Sequence, residues 1–197
     1  METSTATVIA AVLSAITTLT GIWLRNKVSY KKKNCIANQA RIGINVYTAL
    51  EYIQSIMKSD RTYVFEFHNG GQFFSGRGQQ KFSSTYELVE PGVSAEADNS
   101  QDYKVSRYSK YLHNLIKDGY YQKSIDEITD EGFKSLLRDK GVKYIYNVPI
   151  TTLNGKVIGI LGVDYVKNNF EGCKNCEEDD VHKFMRRQAR IVSGYLV

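Results

Sequence analysis

Residues 142–166 read VKYIYNVPITTLNGKVIGILGVDYV, and this stretch decides the fold. Its two ends, 142–150 and 156–166, are rich in β-branched and aromatic side chains, the composition of strands. Between them Asn154-Gly155 supplies a hairpin turn, because Asn and Gly adopt positive φ at little cost. Residues 151–153 lengthen the connection. An acidic cluster at 177–180 follows, where carboxylates in the first turn of a helix suit its dipole. Val181, Phe184, Ala189, Ile191, Val192 and Tyr195 then supply an apolar side, and Arg186, Arg187 and Arg190 a basic one. The pattern predicts a strand hairpin closed by a C-terminal helix.

Working outward, Ile36, Ala40, Ile44, Tyr47, Leu50, Ile53 and Met57 recur at helical spacing and predict a long amphipathic helix over 34–59. Residues 62–68 (TYVFEFH) read as a strand, and Asn69-Gly70-Gly71 as the turn that ends it. Gly76 and Gly78 loosen the loop before a second strand at 81–89. Residues 90–105 read as loop. Tyr108, Leu112, Leu115 and Ile116 predict a helix ending near Gly119. A short strand at 120–125 and a helix at 130–140, closed by Gly141 as a C′ residue, complete the order. Helix, two strands, helical insert, short strand, helix, hairpin and helix make an α+β domain with an antiparallel sheet.

The N-terminus has a different character. Residues 3–24 carry no charge, and at about 1.5 Å per residue they reach roughly 30 Å, enough to cross a hydrocarbon core. A cleaved signal peptide wants positive charge before its apolar run, and here only Glu2 precedes it. A buried helix would carry a charged polar face. The segment is therefore read as a retained single span, with residues 1–33 as anchor and 34–197 as the soluble domain. Ala6, Ala10, Ser14 and Thr18 recur every four residues, a small-residue stripe of the kind that lets helices associate in lipid. Arg25, Lys27, Lys31, Lys32 and Lys33 follow the span. They predict a cytoplasmic C-terminal domain and contact with anionic headgroups, with Trp23 at the interface. The net charge of +5 is largely this cluster: the remaining residues hold 21 basic and 20 acidic side chains. A near-neutral domain argues against a nucleic-acid partner.

The segment VPITTLNGKVIGILGVDYV, followed by an acidic loop and a terminal helix, resembles the end of a GAF domain. The resemblance covers 142–197 by motif and 34–197 by element order. It implies an antiparallel GAF/PAS-like sheet flanked by helices, dimerisation through the first and last helices, and in some members a small ligand. The overall plan also resembles the T-even type of phage holin, with one early span, a membrane-proximal helix, an α+β domain and a final helix carrying Gln188-Ala189-Arg190. That resemblance implies a protein that permeabilises the inner membrane and times host lysis, with its domain outside the cytoplasm.

Phe67-His68-Asn69-Gly70-Gly71 is the most distinctive local string. A His at a strand end beside glycines can line a pocket or titrate near neutral pH, or it can be a satisfied turn residue. If the two strands pair, His68, Asn69, Gly70, Arg77, Tyr86 and Glu87 form a polar cluster for a small ligand or an anion. The loop SGRG at 75–78 lacks the Lys-Ser/Thr of a phosphate-binding loop. Cys173 and Cys176 form a CxxC with His182 nearby. This is a weak metal candidate, since a structural zinc site needs four ligands; a disulfide or two free thiols are the other readings. Tyr103, Tyr108, Tyr111, Tyr120 and Tyr121 read as core or interface, and Glu66 and Asp164 as structural acids. No nucleophile motif appears. The expectation is a non-enzymatic, membrane-anchored, self-associating interaction or sensory module without a cofactor, which binds a small ligand or a regulatory protein. The holin-like role is the alternative.

Overall fold

The computed structural model describes residues 2–33, 35–170 and 178–197, except for the side chains of 2–4, 6, 28–33 and 178–180. The chain forms two compact units, Met1–Gly43 and Ile44–Val197.

The first unit holds helix α1 (Glu2–Lys33). Its segment Thr7–Lys27 has a mean hydropathy of 1.9, is unburied, and is long and apolar enough to cross a membrane by length and composition. The hydroxyls of Thr18 and Thr20 donate to the Ser14 and Ile16 carbonyls at 2.8 and 2.9 Å, which satisfies these polar groups within the helix. Ala10, Ser14 and Thr18 are exposed, as are Arg25 and Lys27. The Lys27 ammonium lies 4.7 Å over the Trp23 ring. The side chains of Ala6, Lys31, Lys32 and Lys33 lie outside the described residues.

Helix α2 (Ile36–Met57) leads into the second unit. Strands β1 (Arg61–Gln72) and β2 (Gly78–Val89) form a long hairpin, with a two-residue β3 (Tyr103–Lys104) beside β2. Then come α3 (Ser109–Asp118), β4 (Tyr121–Ser124), α4 (Glu131–Asp139), β5 (Tyr144–Thr151), β6 (Val157–Tyr165) and α5 (Glu178–Leu196). The six strands make one sheet in the order β3-β2-β1-β6-β5-β4, with every pairing antiparallel. Side chains alternate between its faces. On one face Val64, Tyr86, Tyr146 and Tyr165 meet α2 and α5. Tyr86 packs edge-on to Tyr47, the Tyr165 hydroxyl donates to the Met57 carbonyl at 2.8 Å, and Tyr146 is hydrogen-bonded to His182. On the other face Phe82, Ile145 and Ile160 join Tyr111, Leu115, Phe133 and Leu137 of α3 and α4 in an aromatic-rich core.

Local chemistry sets the element ends. Asp130 caps α4 by accepting from the Phe133 amide at 3.2 Å. Gly119 closes α3 at φ 76°, and Gly141 stands just past α4 at φ 69°, backbone settings that suit glycine.

Three expectations need correction. Asn69-Gly70-Gly71 does not turn the chain. Asn69 pairs with Gln80 and Gln72 with Gly78, so β1 continues and the turn falls at 73–77. The register shifts within this stretch, Gly71 takes φ 103°, and the Asn69 side chain accepts from the Gly71 amide: the string is a bulge. In α2 the buried residues are Val46, Ala49, Leu50, Ile53 and Met57, whereas Ile36, Ala40, Ile44 and Tyr47 are exposed. Tyr47 keeps only its edge contact with Tyr86, and the apolar spacing at Ile36, Ala40 and Ile44 marks no buried position. In α5 the buried face includes Met185, Gln188 and Ser193 beside Val181, Ala189 and Val192. Ser193 is polar yet inward because its hydroxyl donates to the Thr151 carbonyl at 2.8 Å.

Candidate functional site

The face of the sheet under α3 and α4 holds a cavity of about 50 Å³. Its walls come from alternate positions of four strands. β1 contributes Arg61, Tyr63 and Phe65, β6 contributes Ile160 and Asp164, β5 contributes Asn147, and β2 contributes Phe82, Ser84 and Glu87. Glu87 breaks the alternation of β2. A register shift opposite Val64 and Phe65 leaves Thr85 as an extra residue, so Glu87 joins Phe82 and Ser84 on the cavity side, while Tyr86 pairs with Val64 and turns to α2. Phe133, Leu136 and Leu137 of α4, Lys140 just past its end, Tyr111 of α3, and Glu96, Ser100 and Tyr103 close the cavity.

One end of the cavity is charged. Arg61 is only 1% exposed, and all of its polar nitrogens have partners. Nε donates to both Asp164 carboxylate oxygens at 2.9 and 3.1 Å. Nη1 donates to the Ser94 carbonyl at 3.2 Å and lies 3.8 Å from the Glu96 carboxylate. Nη2 donates to the Lys140 carbonyl at 2.9 Å. Glu87 accepts from the amides of Glu96 and Ala97 at 2.7 and 2.8 Å, which ties the 90–102 segment to β2. The Lys140 ammonium is hydrogen-bonded to Ser100 and lies 5.7 Å over the Tyr103 ring. Burial pushes the Asp164 carboxyl up to about 6, and the Arg61 charge opposes that shift.

The other end is aromatic and neutral. The rings of Tyr111 and Phe133 stack at 3.9 Å, and Phe65 meets Phe82 at 5.6 Å and Tyr103 at 6.3 Å. Across the floor the Tyr63 hydroxyl donates to Asn147 Oδ1 at 2.9 Å, and Asn147 Nδ2 donates to the Tyr111 hydroxyl at 2.7 Å. One amide oxygen and one amide NH₂ thus serve two phenols, so one phenol keeps a proton that this link does not use. Interchanging the amide O and N moves that proton to the other Tyr without removing it. Burial raises the pKa of both hydroxyls, which holds them neutral as donors. The link needs a glycine at 162: a Cβ there would run into Asn147 Oδ1 and the Tyr63 ring.

Of the six ligand residues expected from sequence, only Glu87 lines this cavity. His68 Nε2 is hydrogen-bonded to Ser83 at 2.9 Å and lies 3.9 Å from Asp102, which pairs with Lys81. Asn69 and Gly70 belong to the bulge, Arg77 lies 5.0 Å over the Phe73 ring, and Tyr86 packs on Tyr47. Cys173 and Cys176 lie outside the described residues. Among the described residues no group of three His, Cys, Asp or Glu side chains gathers to hold a metal ion. Tyr108, Tyr111 and Tyr121 are core residues, and Tyr103 and Tyr120 are half-buried. The reading from sequence missed Arg61, Asn147 and Lys140. Arg61 left one signal: it shares a strand face with Tyr63 and Phe65, where a charge needs a buried partner.

No protein-family model matches the sequence, and no curated protein matches it. Solved structures do. The blue-light-absorbing form of the PixJ GAF domain from Thermosynechococcus elongatus superposes with a TM-score of 0.60 at 15% identity, covering 83% of this chain and 89% of that one. The phycocyanobilin-bound GAF domain of a cyanobacterial phytochrome gives 0.58 at 13% identity, covering 88% and 91%. A GAF domain/HD domain protein from Geobacter sulfurreducens gives 0.56 at 11% identity, covering 79% and 91%. The six-stranded antiparallel sheet and its flanking helices are a GAF-like fold.

Proposed function

We propose that this chain is a membrane-anchored, non-enzymatic sensory module whose GAF-like domain binds a compact ligand between the sheet and α4. The carrying observation is the cavity itself. Aromatic rings wall it, its charged side chains are held by hydrogen bonds and ion pairs within the wall, and a tyrosine hydroxyl proton is left for an acceptor. Those features select by shape, stacking and one hydrogen bond, the usual design of a small-molecule site. At about 50 Å³ the cavity has room for a few waters; it is about a third of the roughly 150 Å³ that takes a benzene ring, so a single ring enters only if α4 or the 90–102 segment gives way. The cavity falls far short of the roughly 300–1,000 Å³ of drug-sized sites, so a bilin of the kind bound by the phytochrome domain does not fit it. Arg61 and Lys140 against Glu87, Glu96 and Asp164 leave the wall one negative charge in excess, which favours a neutral or cationic ligand.

Occupancy would be transmitted through the segment that Glu87 and Arg61 hold, since Glu96, Ser100 and Lys140 are both cavity wall and members of that network. The anchor reading rests on the length, apolarity and exposure of Thr7–Lys27 and on the basic residues after it. A reporter fused at Val197 tests the orientation: cytoplasmic signal is expected, and an external signal would favour the holin-like arrangement.

The ligand reading is tested with the full chain in detergent by thermal shift against indole, phenol, tyramine and benzamidine. At least one is expected to raise the unfolding temperature of the wild type and not of Ser84→Met, whose side chain fills the cavity. Equal shifts in both proteins would refute the site, as would no shift with any of the four.

A further inference from the structure

Two hairpin tips leave the sheet at the same end. Arg61 pairs with Asp164 and Glu66 with Gly159, so β1 climbs toward the start of β6. The β1–β2 turn at 73–77 and the β5–β6 turn at 152–156 therefore project in one direction. Each carries an apolar side chain with nothing over it: Phe74 is 114% exposed and Leu153 111%. Phe73, 40% exposed, stands beside Phe74. No packing role accounts for an unsupported Phe and Leu at the tips of two separate turns, and exposed apolar side chains at one end of a sheet mark an interaction surface.

The charge at this end has one sign. Residues 67–82 contain Arg77 and Lys81 and no acid, and residues 148–163 contain Lys156 and no acid. The end of α5 lies here too, because Ser193 is bonded to Thr151, and Arg190 and Val197 line a groove with Leu153. Residues 181–197 are likewise without an acid. Two acids border this end: Asp102 is paired with Lys81 at 2.9 Å, and Glu66 stands opposite Gly159, below both tips. Helix α2 runs against β1, from Tyr47 beside Tyr86 to Met57 beside Tyr165, so the chain enters this unit from the end that carries both tips.

We infer that this end is a bilayer-contacting surface, with Phe74 and Leu153 inserting among lipid headgroups and Arg77, Lys156 and Arg190 meeting anionic phosphates. Aromatic and aliphatic tips rimmed by cations and free of acids match an anionic interface, where apolar burial and charge attraction act together. A protein partner's surface would offer acids and bases mixed. The inference rests on the anchored reading above. Its consequence is that the domain is held tips-down, which fixes its orientation on the membrane.

The test uses the full chain with Trp23→Phe and Phe74→Trp, giving a single indole at an exposed position that should not disturb folding. The protein is reconstituted into phosphatidylcholine vesicles with and without phosphatidylglycerol, using lipids brominated on their acyl chains. Emission from position 74 is expected to be quenched roughly twofold, as for a ring about 5–10 Å below the headgroup boundary. Quenching should be stronger with phosphatidylglycerol, and Arg77→Glu with Lys156→Glu should abolish it. Co-flotation of the wild type with the vesicles reports the anchor separately. A protein that floats while the introduced indole stays unquenched and open to iodide overturns the inference and leaves the anchor standing. An indole shielded from iodide without lipid quenching also overturns it, in favour of a protein partner. Failure to float overturns the anchored reading itself.

Discussion

Arg61 and Asp164 stand 103 residues apart in the chain, directly paired on adjacent strands, and the Arg61 Nε donates to both oxygens of the Asp164 carboxylate. The pair is buried, at the charged end of an aromatic cavity, and Arg61 also holds the carbonyls of Ser94 and Lys140. One side chain thus joins β1, β6, the 90–102 segment and the end of α4. Desolvating two charges is costly, and only good geometry with extra hydrogen bonds offsets it.

Removing one partner should therefore be far worse than removing both. Arg61→Met leaves Asp164 buried and unpaired and is expected to cost about 3–5 kcal/mol. The double change Arg61→Met with Asp164→Leu should recover much of that loss. Denaturant unfolding of the two single variants and the double variant measures the coupling. Simple additivity would show that the pair is not an energetic unit.

The same carboxylate gives the domain a pH signature. Asp164 titrates at about 6 when folded, against about 3.9 in an unfolded chain. Between those values the folded state binds the extra proton, so Asp164 supports folding most below about pH 4, and its contribution is lost as pH rises through 6. The gap between the two values corresponds to on the order of 2–3 kcal/mol. Asp102 and Glu127, whose carboxyls are held low by Lys81 and by the Ser124 amide and hydroxyl, act in the opposite sense. The clean readout is therefore the stability of wild type relative to Asp164→Asn. That difference should shrink from pH 4 to pH 6.5, and a flat difference would contradict the raised value.

How much of this was legible beforehand follows the range of the interactions. The β5–β6 hairpin and α4 were readable because Asn154-Gly155, Asp130 and Gly141 act on their immediate neighbours. The bulge at Asn69-Gly70-Gly71 was not, because the same residues serve a turn or a bulge, and the choice is made by Gln80 and Gly78 across the ladder. The cavity was the least legible part. Glu87 faces it only because Thr85 is an extra residue in β2, and Arg61 matters only because β1 lies beside β6. Those are properties of register, set by long-range pairing. Residues near His68 attracted attention as a local string, whereas the site assembles from single residues on four strands and two helices.

The Tyr63–Asn147–Tyr111 link makes position 162 a sensitive probe. Gly162→Ala drives a methyl into Asn147 Oδ1 and the Tyr63 ring. The link must break or the strands must separate, and a loss of about 1–3 kcal/mol is expected from the overpacking alone. Gly194→Ala is the control, since a Cβ there meets nothing within 4 Å. Calorimetry of the two variants should show a clear drop in unfolding temperature for the first and little change for the second.

Glu87 ties the segment over the cavity to the sheet, and cutting that tie should loosen the segment without unfolding the domain. Its carboxylate accepts from the amides of Glu96 and Ala97. Glu87→Ala leaves both donors without an acceptor, at a cost of about 1–3 kcal/mol. Only the 90–102 segment depends on these bonds, while Arg61 still holds Ser94 and the sheet pairing of β2 is unchanged. The expected result is local: hydrogen exchange at residues 94–101 accelerates roughly tenfold or more, on the scale of about 1.4 kcal/mol per factor of ten, while amides of β1, β5 and β6 keep their protection. Exchange that rises everywhere would make Glu87 a global stabiliser. Unchanged exchange at 94–101 would mean that the segment is held without Glu87, by bonds such as those of Arg61 to Ser94 and Lys140 to Ser100, and that occupancy of the cavity has no path through Glu87.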